Sequence, residues 1–208
     1  EINSKTGLYP LYVTYSLYRR RLGEYVQAEC IDMEKVSVQV EQVVWDDRMA
    51  DNMYVICNTP MAVGITRRTL FGFRNVDRKA NIKNEQLITR ASSDQEALVK
   101  DLKSVGFWKG NTSKQMIQFN AVVGNPPYIG EKGHKEIFQP VKEDALLKGF
   151  YLGKMDYFYF FFHVAINILC QNGISCFITT NYYPTAMGAR KLRKDLAERT
   201  NLLQLINL

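Results

Sequence analysis

A turn of four residues combines a side-chain amide, two prolines and an aromatic ring: Asn125, Pro126, Pro127 and Tyr128. Consecutive prolines hold the backbone φ angle at about −65° and remove two N–H donors, so such a turn is stiff and presents carbonyl oxygens. The Asn125 oxygen and a proline carbonyl can each accept one hydrogen of a substrate amino group, which localises the nitrogen lone pair for attack. Tyr128 offers a flat face to a planar base or amide, and stacking on a nucleobase is worth about 1–3 kcal/mol.

The alternative interpretation of this turn is a rigid bend with a tyrosine in the core. The position of the turn favours a site, because it directly follows an apolar segment, residues 119–123, whose composition predicts a strand. Ligands of α/β sheets bind outside the carboxyl ends of the strands, which is where this turn would lie.

A helix rich in lysine and arginine is predicted over residues 190–199. Its cations can face the phosphates of a nucleic acid, or they can form a solvated helix face, and the sequence leaves both interpretations open. The four cations concerned are Arg190, Lys191, Arg193 and Lys194.

Aromatic residues dominate residues 155–169, for which we predict a long helix that Asn172 and Gly173 terminate. Rings on all sides of a helix belong mostly to the core, and Tyr157 is our candidate for one ring that lines a substrate pocket. Asp156 is expected to cap this helix or to orient other groups rather than to act as an acid catalyst. His163 is expected to be a core histidine.

Segments with strand and helix patterns alternate along the chain, and such alternation predicts parallel pairing of the strands. The sequence therefore predicts an α/β fold, with a doubly wound, mostly parallel sheet and helices on both faces. Strands are expected at residues 51–57, 86–89, 119–123, 174–180 and 202–208, helices at 9–22, 61–71, 92–102, 155–169 and 190–199, and a polar loop at 129–154.

The composition is that of an ordinary globular domain, with 208 residues of which 46% are hydrophobic and 23% charged. The sequence has no apolar run of the roughly 18–20 residues that a membrane helix needs and no signal peptide, which disfavours membrane and secreted proteins. The formal net charge of +6 is compatible with a polyanionic partner. The four cysteines and two histidines lack metal-ligand spacing, so we expect reduced thiols, no metal and a cytoplasmic location.

The residues at both ends of the chain are typical of a fragment of a longer polypeptide. The sequence begins with Glu1 instead of methionine, and residues 202–208 form an apolar segment with no turn or cap after it. We therefore expect residues 1–208 to be a catalytic domain cut from a longer polypeptide.

Residues 119–128, FNAVVGNPPY, resemble the catalytic motif of S-adenosylmethionine-dependent amino-methyltransferases, especially the N6-adenine DNA methyltransferases of restriction–modification systems. Residues 182–196 are similar to the corresponding segment of large, single-chain restriction–methylation enzymes. The other matching segments follow the family order: residues 1–7 (the first cofactor loop), 51–60 (the ribose-binding turn), 155–160 and 173–182.

The resemblance implies S-adenosylmethionine as the cofactor and a Rossmann-like methyltransferase sheet. The chain departs from the family pattern because Glu1 replaces an aspartate, Lys5 replaces a glycine and Cys57 stands where an acid is expected. The residues that the resemblance assigns to cofactor binding are Glu1, Asn3, Thr6, Gly7, Cys57 and Asn58.

The resemblance also implies the reaction, which is methylation of the exocyclic N6 of an adenine flipped out of DNA. Asn125 and the carbonyl of Pro126 would orient the amino group within a turn that both prolines stiffen, and Tyr128 would stack on the base. Asp156, Tyr157 and the cations of residues 190–194 are candidates for contacts with DNA.

The implied partners are DNA and a target-recognition domain of the parent chain, with a fused nuclease left open. One alternative is an amino-methyltransferase that acts on protein glutamine or on RNA, because an amide nitrogen poses the same chemical problem. A second alternative is a catalytically silent DNA-binding module with the methyltransferase fold.

Overall fold

The computed structural model describes residues 1–53, 55–57, 59–72, 118–144 and 147–206. The chain divides into two compact units: of the described residues, those up to Gly72 belong to the first unit, apart from Ile2, and those from residue 118 onward belong to the second. The strand expected at residues 86–89 and the helix expected at residues 92–102 lie outside the described residues.

The described part of the first unit contains two short paired strands and three helices. The strands are β1 (Ile2–Ser4) and β2 (Ile56–Cys57), and the helices are α1 (Leu8–Glu29), α2 (Val38–Asn52) and α3 (Pro60–Phe71). A 3₁₀ turn, Met33–Lys35, lies between α1 and α2. The buried core of this unit consists of Met53, Val55, Cys57, Ala62, Val63, Leu70 and Phe71.

The prediction of a helix over residues 61–71 is confirmed by α3, and local signals mark both of its ends. The hydroxyl of Thr59 accepts a hydrogen bond from the Ala62 N–H at 3.1 Å, and Pro60 occupies the first turn, where an N–H has no helical partner. Gly72 follows the last turn with a φ of 65°, which glycine adopts without strain.

The sequence pattern indicated a shorter α1 and no helix at the position of α2. The helix expected at residues 9–22 continues to Glu29, and the strand expected at residues 51–57 is wrong for its first half, because α2 runs to Asn52. Tertiary contacts hold α2 in place. The Trp45 indole donates a hydrogen bond to the carbonyl of Leu70 at 3.3 Å, and its ring packs edge-on against Tyr18.

The described part of the second unit contains two parallel strands and three helices. The strands are β3 (Phe119–Gly124) and β4 (Leu169–Phe177), and the helices are α4 (Lys135–Glu143), α5 (Phe158–Ile168) and α6 (Arg190–Arg199). Two 3₁₀ turns lie at Lys148–Phe150 and Met187–Ala189. The strand predicted at residues 119–123 and the helix predicted at residues 190–199 are confirmed.

The expectation of a polar loop over residues 129–154 is wrong, because this segment folds into α4 and a 3₁₀ turn. Phe138, Val141 and Leu147 are fully buried, whereas most of the other α4 side chains face solvent. Phe138 and Val141 are three residues apart and so lie on one face of α4. Because only one face of α4 is apolar, charged and polar residues dominate the composition of this segment, which is why its pattern indicates a loop.

The helix expected over residues 155–169 is shorter at both ends, and it does not end at Asn172 and Gly173. The chain passes from α5 directly into β4 at Leu169. Phe119 lies opposite Leu169 but Ala121 lies opposite Ile174, so residues 170–173 bulge out of the parallel pair. Asn172 has a φ of 63°, and a Cβ on Gly173 would lie 3.0 Å from the Phe119 carbonyl. Both residues lie within this bulge.

The strand expected at residues 202–208 is not present in the described part of that segment. Residues 201–206 have no regular secondary structure, and their apolar side chains are exposed. A strand needs a neighbouring strand to satisfy its backbone hydrogen-bonding groups, which an apolar composition alone does not supply.

The parallel pairing of β3 and β4 within a mixed helix and strand architecture agrees with the α/β class. Each sheet that the structure describes has two strands, so the doubly wound, Rossmann-like sheet with helices on both faces stays a prediction. The assignment of residues 1–208 to one domain also stays a prediction. Within the described ranges, no helix combines the length and the apolar character needed to cross a membrane.

Candidate functional site

The Asn-Pro-Pro-Tyr turn begins directly after the carboxyl end of β3. The neighbouring strand β4 ends at the same edge, where Gly124 lies opposite Phe177 and the Ile178 N–H donates to the Gly124 carbonyl at 3.1 Å. The turn and the residues after β4 therefore lie at the edge at which α/β proteins bind their ligands.

Tyr128 ties this turn to the segment after β4. Its hydroxyl lies within hydrogen-bonding distance of two acceptors, the side-chain oxygen of Asn125 and the carbonyl of Ile178, the latter at 2.6 Å. A phenol has one proton, so the hydroxyl donates to one acceptor at a time, whereas the Asn125 oxygen has two lone pairs. An amide oxygen is also the kind of acceptor that a substrate amino group needs. The Tyr128 side chain is 44% exposed, which leaves ring surface accessible to a planar group.

Asp156 connects three segments around the turn. One oxygen of its buried carboxylate accepts hydrogen bonds from the backbone N–H groups of Ile129 at 3.1 Å and Phe158 at 3.3 Å, and the other accepts one from the Tyr182 hydroxyl. The Glu131 N–H donates to the Met155 carbonyl and the Tyr157 N–H donates to the Ile129 carbonyl, each at 2.9 Å, so Gly130 and Asp156 form an antiparallel bridge. This geometry agrees with the orienting role expected for Asp156.

The buried ring of Phe158 supports two exposed tyrosines at the same edge. Tyr128 packs edge-on against it with a centroid distance of 5.8 Å, and Tyr182 does so at 6.1 Å. Tyr182 was not among the site residues expected from the sequence. Its place a few residues after the strand that pairs with β3 is the sequence signal that could have identified it.

Tyr157, expected to line a substrate pocket, is fully buried and packs edge-on against Phe138 with a centroid distance of 5.5 Å. Its ring therefore belongs to the core, as do most of the aromatic side chains of α5. The role of Tyr157 in substrate binding stays a prediction that this packing does not favour.

Two of the four candidate cations of α6 form hydrogen bonds with backbone carbonyls of the second unit. Lys191 donates to the carbonyls of Gly149 at 2.6 Å and Tyr151 at 2.9 Å, and Arg193 donates to the carbonyls of Tyr183 and Ala186. These bonds fix the preceding loops against α6. Arg190 and Lys194 are exposed, and Lys194 lies 3.7 Å from Glu198. The two exposed cations are the stronger candidates for contacts with phosphates.

In the first unit, the loop between β1 and α1 is held by a small buried network. The Gly7 N–H donates to the Ser4 hydroxyl at 3.1 Å, and that hydroxyl lies 3.2 Å from the hydroxyl of Thr66 in α3. Gly7 has a φ of 76°, and a Cβ at this position would lie 3.1 Å from the Cα of Thr66. Glycine is thus required here by the close packing of α3, a reason that the sequence pattern did not reveal.

The side chains assigned to cofactor binding differ in accessibility. Asn3 is buried and has a φ of 68°, whereas Thr6 and the neighbouring Lys5 are exposed.

Cys57 is fully buried, and its thiol lies 3.5 Å from the Thr66 hydroxyl. Burial raises the pKa of the Cys57 thiol, which is therefore neutral near pH 7. Burial also raises the pKa of the Glu1 carboxyl. Asn58 lies outside the described residues.

S-adenosylmethionine fits these residues in part. The N-cap residue of α1 is Gly7, which has no capping side chain, the first turn has no acidic residue, and the exposed Lys5 and Thr6 precede it. A helix start with these neighbours suits a carboxylate such as that of the methionine moiety. The ribose diol finds no such partner in Cys57, because a buried neutral thiol is a poor acceptor. Within the described ranges, no group of three or more His, Cys, Asp or Glu side chains is arranged to hold a metal ion.

Comparison with known proteins identifies the family. The model of the Eco57I restriction-modification methylase family matches residues 51–208, which include the Asn-Pro-Pro-Tyr turn and Asp156. This chain belongs to that family. It is also similar to the Type II methyltransferases M.HincII from Haemophilus influenzae and M.HindII from Haemophilus influenzae strain Rd, with 30% identity over 96 residues to each. The matched stretch covers 46% of this chain and 19% and 18% of those two enzymes, so the chain spans about a fifth of their length.

Proposed function

We propose that this chain carries the catalytic turn of a DNA methyltransferase that transfers a methyl group from S-adenosylmethionine to the N6 of adenine. The observation that supports this proposal most directly is the turn itself. It follows the carboxyl end of a parallel strand, has an amide oxygen that the Tyr128 hydroxyl orients, and has an accessible tyrosine ring beside it. The family of restriction-modification methylases and the two named relatives support DNA as the substrate.

The residues of the turn perform positioning and electrostatic stabilisation. The Asn125 oxygen and the Pro126 carbonyl each accept a hydrogen of the amino group, which localises the nitrogen lone pair for attack. Pro127 removes a second donor from the turn and keeps it rigid. Tyr128 stacks on the base, which has to leave the duplex to reach the turn.

The cofactor contacts are proposed for the first unit, with Glu1, Asn3, Thr6, Gly7, Cys57 and Asn58 as the residues concerned. S-adenosylmethionine, when bound, supplies an electrophilic methyl group. Thr6 and the start of α1 bind its polar end, and Gly7 keeps the loop in the conformation that presents them. Arg190 and Lys194 are proposed to contact DNA phosphates. A DNA substrate implies a cytoplasmic location, and we place target recognition in another part of a longer polypeptide.

The experiment that tests this proposal is a methyl-transfer assay with the full-length protein and tritium-labelled S-adenosylmethionine. Unmethylated genomic DNA, RNA and a protein with accessible glutamine side chains are offered in parallel. We expect label in DNA alone, and N6-methyladenine as the modified nucleoside on digestion and mass spectrometry. Label on cytosine, on RNA or on glutamine would contradict the assignment of the substrate.

A catalytically silent module is the second candidate function, and the burial of Cys57 at the expected ribose position favours it. In that case the full-length protein would bind DNA but would not bind the cofactor. Calorimetric titration with S-adenosylmethionine separates the two candidates. Measurable saturable binding would exclude the silent module.

A further inference from the structure

Two half-exposed tyrosines share the same supports at the edge where β3 and β4 end. Tyr128 is 44% exposed and Tyr182 is 42% exposed, and both rings pack edge-on against the fully buried Phe158. Asp156 is joined to both, because it accepts hydrogen bonds from the Tyr182 hydroxyl and from the N–H of Ile129, the residue after Tyr128.

These supports make Tyr182 different from an ordinary surface tyrosine. Its hydroxyl is held by a buried carboxylate, and its ring lies at 74° to the ring of Phe158 with a centroid distance of 6.1 Å, so the orientation of the ring is set before any ligand arrives. A ring that is already ordered loses little side-chain entropy when a planar group stacks on it. Aromatic rings bind nucleobases of any sequence in this way, because every base has a π-face.

We propose that Tyr182 is a second base-contacting residue of this site and that Asp156 is its positioning residue. This inference rests on the proposed function, in which Tyr128 contacts the target adenine. Tyr182 contacts the same base or the nucleotide beside it. Asp156 holds the Tyr182 hydroxyl at one carboxylate oxygen and the segment next to Tyr128 at the other, so that the two rings keep a fixed relation.

The test compares binding of two fluorescein-labelled single strands to the full-length protein by fluorescence anisotropy. One strand is a short oligodeoxyadenylate, and the other is an abasic strand of the same length and charge. We expect the wild-type protein to bind the strand with bases more tightly. Tyr182→Ala should weaken binding of that strand by about 5- to 140-fold, which corresponds to about 1–3 kcal/mol of stacking at about 1.4 kcal/mol per tenfold change. Binding of the abasic strand should not change.

Three further variants separate contact from folding. Tyr182→Phe keeps the ring, and its affinity for oligodeoxyadenylate should stay closer to the wild-type value than that of Tyr182→Ala. Asp156→Asn should also lower this affinity while leaving abasic binding intact. Tyr12→Ala, at an exposed tyrosine of α1, is the matched control and should change neither affinity.

Equal losses on both strands, or wild-type binding by Tyr182→Ala, would overturn the inference. The same holds if the wild-type protein does not distinguish the two strands. Because no methyl transfer is needed for this comparison, it remains informative if the protein fails to methylate DNA. A failure of methyl transfer would contradict the proposed function alone.

Discussion

The side-chain oxygen of Asn125 is the atom on which the proposed chemistry depends most. It already lies within hydrogen-bonding distance of the Tyr128 hydroxyl, so its orientation is set before a substrate is present. An acceptor that is oriented in advance does not have to reorganise during the reaction, which is the main source of electrostatic stabilisation in enzymes. The Tyr128 hydroxyl keeps a second acceptor in the Ile178 carbonyl when a substrate engages Asn125.

Replacing Asn125 with alanine is expected to lower kcat of the full-length protein by at least about 100-fold, the usual effect of removing one preorganised hydrogen-bonding group. The fold should stay intact, because Tyr128 retains the Ile178 carbonyl as its acceptor. Methyl transfer to DNA and thermal unfolding are measured on the same preparation. Asn120→Ala, at an exposed asparagine of β3, is the control and should keep wild-type kcat. Substantial activity in Asn125→Ala would contradict the assignment.

Packing requires a glycine at position 7, independently of any role of this residue in cofactor binding. Its φ of 76° lies in the left-handed region, and a side chain would meet the backbone of Thr66 at 3.1–3.2 Å. The loop that the family pattern assigns to the cofactor is therefore part of the contact between β1 and α3 in the first unit. Changes in this loop are expected to alter stability before they alter chemistry.

Gly7→Ala is expected to lower the free energy of unfolding by about 1–3 kcal/mol, because a residue with a Cβ is strained at this φ and crowds Thr66. Urea denaturation provides the measurement. Gly23→Ala is the matched control, because Gly23 lies inside α1 and a Cβ there would meet no atom of the described residues within 4 Å beyond the helix's own backbone. This control should raise stability by up to about 1 kcal/mol. Equal stability of the two variants would refute the packing argument.

At the scale of elements, α5 and α6 are joined by a buried polar pair. Nδ1 of the fully buried His163 lies 2.6 Å from a carboxylate oxygen of Asp195, whose other oxygen lies 3.3 Å from Arg199. The ring of Phe150 stacks on His163 at 3.7 Å. The expectation that His163 is a core residue is confirmed. Desolvation by burial lowers the pKa of His163, although the hydrogen bond to Asp195 opposes this effect.

The stability of the second unit should therefore decrease as the pH falls below the ordinary histidine pKa of 6.5. The pKa of His163 is lower in the folded state than its ordinary value of 6.5, so the unfolded chain takes up a proton first as the pH falls. Stability is fully present above about pH 6.5 and decreases below it, by at most about 1.4 kcal/mol per pH unit. The pKa of Asp195 is also lowered, below its ordinary 3.8, so its contribution is lost only at more acidic pH.

Urea denaturation at several pH values measures this effect in the wild-type protein and in His163→Gln. The variant should be less stable at neutral pH but should show a flatter profile below about pH 6.5. His134→Gln changes the only other histidine, which is exposed, and should leave the profile unchanged. A wild-type profile that is flat in this range would show that His163 does not control it.

At the scale of the whole molecule, the formal charge of +6 does not by itself locate a nucleic-acid surface. Lys191 and Arg193 bind backbone carbonyls of their own unit, so part of the positive charge of α6 has a structural use. The side chain of Lys194 is 72% exposed, and its pairing with Glu198, also exposed, contributes little in water.

Lys194→Gln is expected to weaken DNA binding by the full-length protein to a similar degree for all sequences. It should reduce the slope of log K against log salt concentration by about 0.9, the value for one phosphate contact on duplex DNA. Affinity measured at several salt concentrations gives this slope. Lys35→Gln is the matched control, because the Lys35 side chain is equally exposed and pairs with Asp32. An unchanged slope in Lys194→Gln would remove this residue from the interface.

The sequence by itself determined the features that depend on neighbours in the chain. The apolar composition of residues 119–123 and the two prolines after them specify a strand followed by a stiff turn, and β3 has these bounds within one residue. Thr59, Pro60 and Gly72 specify both ends of α3. In each case the backbone preference and the hydrogen-bond partner lie within a few residues of each other, so the pattern contains the whole physical cause.

Only the tertiary structure decided the features that need a partner far away in the chain. Asp156 meets Tyr182 across 26 residues and Ser4 meets Thr66 across 62, and no local pattern encodes either contact. The same reason explains why α2 replaced the first half of an expected strand and why residues 201–206, apolar as they are, form no strand. Burial and hydrogen bonding are satisfied by whichever groups folding brings together, and these long-range partners are what the spacing of residues along one segment does not specify.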